Sequence, residues 1–467
     1  MSLTFTDEQI SSFPAEAQAI IRALMAEVAA LKSRLAELEN RKTPRNSSLP
    51  PSSQHPHAKP AGRKKKSRKK RGGQPGHPRH ERPLIPPEQC DEVIPLMPHE
   101  CRRCSTALTG EDVAPLRHQV WELPEIKPQV IEYQRHRLAC PCCGETTCAE
   151  LPAGVPTGQS GPRLVAFTGL LMAYFRQSKR RTALFLQDLL GQPCSPSLTV
   201  KLQNQVAQAL EQPYQEVQAS LPQEPQVFMD ESPTKEANQK AWLWTAVAPC
   251  YAVFAIFLSR AGTAVGRLLG DEYNGIVNCD RAKMYWQAGR LQWCWAHLKR
   301  DIQALIDHPN RQVQRLGHDL MRQVKSMFQH WRDYRADEIS WRTFQSRMAP
   351  VRAEVNALLL RGVFSGNSRL RGMCDELYKH RDWLWAFVDH EGIEPTNNAA
   401  ERALRHAVIW RKLSFGTQSA NGSRFVERML TAIETCRLQN RSIFDYLTKA
   451  VRAHFANQQP PSLLPTP

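Results

Sequence analysis

VFMDESPTKEANQKAWLWTAVAPCYAVFAIFLS, residues 227–259, breaks the helical periodicity of the sequence before it. VFMD, AWLWTAVAP and YAVFAIFLS are short runs rich in β-branched and aromatic residues, the types that fit a pleated, half-buried surface. A fourth such run, GIVNCD at 275–280, follows the helical stretch AGTAVGRLLGDEY. Three strands able to form a meander, then a helix, then a strand, is the order expected of an α/β sheet covered by helices. Asp230 is expected to close the first strand and Asp280 the fourth. An acid at a strand end is commonly a turn residue, and it is also well placed to hold a metal ion at a sheet's edge.

A third acid stands out in PTNNAAERALRHAVIWRK, residues 395–412, where Glu401 is surrounded by Arg402, Arg405, His406, Arg411 and Lys412. Thr396 or Asn397 can cap a helix built on Ala399, Ala400, Ala403 and Leu404. The plainest role for Glu401 is an i, i+4 pair with Arg405, worth about 0.2 to 0.5 kcal/mol on an exposed face. The interval of 121 residues from Asp280 to Glu401 is too long for one connection. DIQALIDHPNRQVQRLGHDLMRQVKSMFQHWRDY and WRTFQSRMAPVRAEVNALLL are amphipathic without strand signals, so a helical insertion is expected there. Near its start Cys294 and His297 form a C-x2-H element, too few ligands for a closed zinc site, for which packing or DNA contact is the expected role.

Toward the N-terminus, Ile21, Leu24, Val28, Leu31, Leu35 and Leu38 alternate steps of three and four. Such a heptad seam favours a parallel dimer, although a short amphipathic helix packed on its own chain has the same pattern. The net charge of +17 is concentrated: fourteen lysines and arginines lie in residues 41–82 against one acid, Glu81. A Pro- and Ser-rich linker there runs into Lys64, Lys65, Lys66, Arg68, Lys69, Lys70 and Arg71, expected to form a flexible arm on DNA phosphates. Cys101-x2-Cys104 and Cys140-x2-Cys143, 35 residues apart, have the spacing of a four-thiolate structural Zn²⁺ site. Cys142, Cys148, Cys90 and His99 compete as ligands, and a redox pair or chance clustering remains the alternative. In TALFLQDLLGQPCSPSLTVKLQNQVAQAL a helix, a turn at 191–194 and a second helix capped by Ser195 read as helix-turn-helix, with Ser197, Lys201 and Asn204 facing bases. Two antiparallel core helices would look the same. Neither a signal segment nor an apolar run long enough to span a bilayer is present, so a cytoplasmic protein is expected.

VFMDESPTKEANQKAWLWTAV, GIVNCDRAKMY, QWCWAHLKRDI and PTNNAAERALRHAVIWRKLSFGTQSANG resemble, in order and spacing, the insertion-sequence-66 family of bacterial DDE transposases. The resemblance extends to the heptads, NSSLPPSSQ, GGQPGH and the cysteine knuckles, and so spans nearly the whole chain. It implies a ribonuclease-H-like catalytic domain whose triad is Asp230, Asp280 and Glu401, holding two Mg²⁺ or Mn²⁺ ions for phosphoryl transfer. Arg402 and Arg405 would then contact DNA. The chain departs from the family's usual pattern at Ser232, where Thr often stands, and at Thr396, where an acid often stands. Those departures leave Glu231 or Glu394 as alternative ligands.

The expected whole is a multidomain α+β chain. It has a coiled-coil dimerisation helix at 1–40, the basic linker at 41–85, a zinc-binding domain at 86–158 and a helical DNA-binding domain at 159–223. The catalytic core follows at 224–300 and 391–455, interrupted by the helical insertion at 301–390, and 456–467 is expected to be a disordered tail. The implied function is cleavage of mobile-element ends and their joining to target DNA, with a homodimer or higher assembly, small accessory proteins as partners and association with the bacterial nucleoid. A catalytically inactive DNA-binding regulator, or a general nuclease of the same fold, are the competing readings.

Overall fold

The computed structural model describes residues 7–39, 46 and 82–465. The basic arm from Lys64 to Arg71 therefore lies outside the described residues. The chain divides into two units, residues 56–128 and the remainder, each described by itself.

At the N-terminus α1 (Asp7–Ser11) leads into the 25-residue α2 (Ala15–Glu39). Leu24, Val28 and Leu31 of the heptad seam are exposed on it. In the 56–128 unit, regular structure is slight among the described residues: a 3₁₀ turn at Pro87–Gln89 and a bridge between Glu100 and Ala107. Val113 and Leu116 there are almost fully exposed, so little apolar burial stabilises this unit. The larger unit resumes with a hairpin of β1 (Arg137–Ala139) and β2 (Thr146–Cys148). Between the two knuckles, Arg137–Ala139 is the one strand among the described residues.

Four helices follow: α3 (Pro162–Ala173), α4 (Lys179–Leu190), α5 (Pro196–Ala209) and α6 (Glu211–Ser220). Gly191 ends α4 in the left-handed region, and the Ser195 hydroxyl accepts from the Leu198 N–H with Pro196 in the first turn, as the sequence indicates. Lys201 is exposed on α5, whereas Leu202 and Val206 are buried.

The sheet is mixed, ordered β5-β4-β3-β6-β7. β3 (Gln226–Glu236), β4 (Gln239–Val247) and β5 (Ala252–Phe257) form the expected meander. After α7 (Thr263–Leu269), β6 (Ile276–Cys279) and β7 (Leu291–Trp293) add in parallel on the other side of β3. Two details differ from expectation. Asp230 lies inside β3, which continues to a tight turn at Ala237 and Asn238, both with positive φ. The three-residue strand β7 was too short to show a period in sequence.

Between β7 and the return to the sheet the chain is helical: α8 (Trp295–Ile306), α9 (Arg311–Arg335), α10 (Trp341–Val363), α11 (Ser368–Lys379) and the short α12 (Ala386–Asp389). The chain then returns through α13 (Asn398–Ser414), α14 (Ala420–Leu438) and α15 (Ile443–Phe455). Val165, Leu170, Leu202 and Val206 of the helical segment share one buried cluster with Met429, Leu447 and Val451. The 159–223 segment is thus packed into the same core as α14 and α15 rather than folded as a separate domain. Nor is 456–465 a disordered tail: Leu463 is fully buried, and the Pro461 and Leu463 carbonyls accept from Tyr446 and Gln439. Among the described residues, no helix is long and apolar enough to cross a membrane.

The edge strand β5 is covered by a polar stripe on α14. Thr435, Thr431 and Glu427, four residues apart and hence on one helix face, accept from the N–H groups of Ala252, Phe254 and Ile256 at 3.2, 3.0 and 2.6 Å. Burial pushes the Glu427 carboxyl up to about 7 against the opposing pull of Arg424. Because its folded-state affinity for a proton exceeds the unfolded one, the stability it contributes is full below about pH 4.5 and is lost as pH rises through about 7. Urea unfolding of the wild type should therefore weaken across that window by up to about 3 kcal/mol relative to Glu427→Gln, whose curve should be flatter. Parallel curves for the two proteins would show that Glu427 does not titrate there.

Candidate active site

Asp230, Asp280 and Glu401 arrive from three different elements. β3 and β6 pair in parallel at Phe228↔Asn278, and continuing that register two residues puts Asp230 level with Asp280, just past the end of β6. Glu401 sits in the first turn of α13. That helix lays Ala400, Ala403, Leu404 and Ala407 against Phe228, Leu243 and Phe254 of the sheet. All three carboxyls are held above the ordinary carboxylate range, burial being the main cause. Asp230 is raised furthest, with Glu231, Asp280 and Glu401 adding to the effect. Asp280 is also among the charges that raise Glu401, so the triad forms one electrostatic cluster.

Compensation is limited to fixed donors and nearby cations. Asp230 Oδ1 accepts the Glu231 N–H at 2.9 Å, and Asp280 Oδ1 accepts the Ala282 N–H at 2.8 Å. Arg300, Arg405 and Arg402 pull the Glu401 pKa down, in that order. Arg402 and Arg405 are exposed, and Glu401 forms no ion pair with Arg405 among the described residues. Its nearest charged-class neighbour is His297, with Nδ1 3.5 Å from Oε1. This is not an ion pair at neutral pH, because burial, Arg300 and Arg281 hold His297 down to about 4.

The alternative acids are otherwise engaged. Glu231 takes two guanidinium hydrogen bonds from Arg260, at 3.0 and 2.6 Å, and one from the Tyr285 hydroxyl. Glu394 pairs with Arg335 at 3.2 Å. Three carboxylates with unspent oxygens fit a hard divalent cation, which takes oxygen ligands.

Sequence reasoning missed the residues that place Glu401. Asn397 is at the N-cap of α13 but its side chain caps nothing: Nδ2 donates to the Met229 carbonyl at 2.7 Å, next to Asp230. The Asn397 N–H donates to Cys294 Sγ at 3.1 Å. Asn278, fully buried in β6, donates to the carbonyls of Glu394 at 2.6 Å and Thr396 at 3.4 Å. The Trp295 N–H donates to the Pro395 carbonyl at 3.0 Å. Residues 394–397 are thus hydrogen-bonded at every position, Glu394, Thr396 and Asn397 to the sheet and Pro395 to the start of α8. A lone Asn in the four-residue buried strand IVNC was the available signal.

The two cysteine knuckles have matching local geometry. Cys101 accepts through its carbonyl from the Ser105 N–H at 2.9 Å, and Cys140 likewise from the Gly144 N–H at 2.9 Å. Ser105 and Gly144 both have positive φ. Hydrogen bonds led by the Thr106 side chain lower the Cys104 thiol pKa, and the Cys143 and Cys142 backbones lower that of Cys140. Cys142 occupies the place of Arg103 in the other knuckle, and Cys148 lies on β2. Cys90 is within hydrogen-bonding reach of Gln119 and Pro86.

A model of the zinc-finger binding domain of transposase IS66 matches residues 98–144, which include all four knuckle cysteines. A family of unknown function matches residues 6–83. Two Sinorhizobium fredii proteins are similar. Uncharacterized protein y4qI is 24% identical over 415 residues, which cover 78% of this chain and 72% of that protein. Uncharacterized protein y4jO is 29% identical over 184 residues, covering 38% of this chain and 52% of that protein. A model described as the transposase IS66 family matches residues 158–424, from the helical segment through the third acid to the start of α14. The chain belongs to the IS66 transposase family.

Proposed function

We propose that the protein is a DDE transposase that cuts the ends of a mobile DNA element and joins them to target DNA, with Asp230, Asp280 and Glu401 as the acidic triad of a ribonuclease-H-like core. The observation that carries this reading is the convergence of three half-buried, mutually repelling carboxylates from β3, the end of β6 and α13. A DNA-binding regulator without catalysis has no use for such an arrangement, which costs stability unless cations neutralise it. The mixed sheet, with its meander on one side of β3 and parallel strands on the other, supports the core assignment.

Asp230, Asp280 and Glu401 would hold two Mg²⁺ or Mn²⁺ ions, which when bound supply charge stabilisation to the attacking and leaving oxygens of a displacement at phosphorus. Around them the chain's own residues orient DNA. Exposed Arg402 and Arg405 lie on the carboxylate's own helix and are suited to bidentate phosphate contact. Lys201, exposed on α5, is assigned to DNA with them, and the Lys64 to Arg71 arm is assigned to phosphates on its charge alone. The exposed Leu24, Val28 and Leu31 seam supports parallel pairing of two chains, which would hold two element ends together. For zinc, the proposed ligands are Cys101, Cys104, Cys140 and Cys143, on the strength of the matched knuckles.

Three outcomes are expected. Purified protein should nick or join element-end DNA with Mg²⁺ or Mn²⁺, and Asp230→Asn, Asp280→Asn and Glu401→Gln should each lose more than the roughly 10- to 100-fold typical of outer-shell changes while DNA binding survives. Normal cleavage by Glu401→Gln would remove it from the triad. Asn397→Ala should cost about 1–3 kcal/mol of stability. It should also slow cleavage by roughly 10²-fold, because the carboxylate it places would shift; an unchanged rate would show that Glu401 is held without it. Finally, Cys→Ser at any of the four knuckle positions should lower zinc retained per chain and speed amide exchange at 101–106 or 140–145. Full zinc retention would exclude that cysteine as a ligand.

A further inference from the structure

We propose that Cys294, His297 and Glu401 form a binding site for a thiophilic divalent ion of the zinc class, chemically distinct from the all-carboxylate set. One sulfur, one ring nitrogen and one carboxylate oxygen from these residues lie within 4.8 Å of one another. Cys294 is the N-cap of α8 and His297 lies three residues on, so both face the same way. Glu401 meets them from the first turn of α13.

His297 Nδ1 and Glu401 Oε1, 3.5 Å apart, are both buried without a hydrogen-bond partner. Two buried polar atoms left unpaired side by side are costly, and an ion between them, with His297 Nδ1 unprotonated, satisfies both. The Asn397 N–H on Cys294 Sγ is the kind of outer contact that steadies a metal-bound thiolate. Arg281, the cation next to Asp280, is committed to Asp301 at 2.9 Å and Glu376 at 3.1 Å.

Three mixed S, N and O ligands with an open fourth position are the donor set of a zinc site that keeps an exchangeable place, whereas Mg²⁺ prefers oxygen alone. On binding, a metal–sulfur bond forms and the thiol proton leaves to solvent, with no change of oxidation state. The sharing of Glu401 has a consequence that rests on the catalytic reading above: zinc here withdraws the third acid, so zinc should inhibit cleavage supported by Mg²⁺.

The full-length protein, its cysteine knuckles loaded with zinc, would be titrated with Co²⁺ and read by absorption. The expected result is a thiolate-to-cobalt charge-transfer band that is absent in Cys294→Ser, and at least a tenfold weaker cobalt affinity in His297→Ala. Circular dichroism would verify that both variants fold. The same proteins would then be assayed for cleavage at fixed Mg²⁺ with and without added Zn²⁺, each compared with itself. Zinc should inhibit the wild type and need at least tenfold more to inhibit His297→Ala. Identical cobalt spectra in wild type and Cys294→Ser would overturn the site and leave the three residues as a packing contact. If wild type never cleaves, the catalytic reading fails, and the cobalt band still decides whether the ion binds.

Discussion

Like charges do not assemble themselves. Two carboxylates a few ångströms apart in a partly buried site repel by about 4 kcal/mol, so the Asp230, Asp280 and Glu401 cluster must be imposed by something stronger. Two of the acids are fixed by backbone register, since β3 and β6 are paired only two residues before Asp230 and Asp280. The third belongs to a helix 121 residues later in sequence, and its place depends on the binding of Glu394, Thr396 and Asn397 to the sheet. Asn278 performs most of that work with one amide. Its Oδ1 is oriented by Gln226 at 2.9 Å, so its Nδ2 points at the Glu394 and Thr396 carbonyls. A buried amide with both ends satisfied adds rigidity without a charge of its own.

The sheet and the acids were legible because their signals are local. Strand periodicity in AWLWTAV and YAVFAIF, and the acids after VFM and IVNC, need no knowledge of what they pack against. What the sequence hid are residues whose role is decided by a distant partner. Asn397 looks like a helix cap by propensity, yet its amide goes to Met229, because a strand carbonyl 168 residues away competes for it. Cys294 and His297 look like a fragment of a metal site until Glu401, on another helix, is brought beside them. Ser195 with Pro196, whose capping role is purely local, was read correctly in type and position.

The boundary drawn at residue 223 failed for a related reason. Composition marks where helices give way to strands, but it does not mark which helices share a core. Val206 on α5 packs beside Gly169 on α3, where an added Cβ would stand 2.9 Å from its methyl, and both helices contact α15. α14, whose Thr435, Thr431 and Glu427 satisfy the edge of β5, contacts the same helices. The helical segment, if it reads DNA, cannot move independently of the sheet without exposing this apolar surface.

The helix carrying Glu401 is also measured against the strand carrying Asp230. Asn397 before α13 reaches Met229, Arg411 in its last turn donates to the Ser232 hydroxyl at 2.8 Å, and Thr417 beyond it donates to the Lys235 carbonyl at 2.9 Å. The strand from Met229 to Lys235 rises about 20 Å. The 17 residues of α13 span about 25 Å, so the two are nearly matched in length. The far end permits no slack, because Gly416 has φ of +109° and a Cβ there would lie 2.5 Å from the Lys235 carbonyl oxygen. Pinned at both ends, α13 has one allowed rotation about its axis, and a single inserted residue before Glu401 would turn the carboxylate by about 100°. The position of the third acid is therefore fixed by the length of a helix as much as by any contact the carboxylate itself makes.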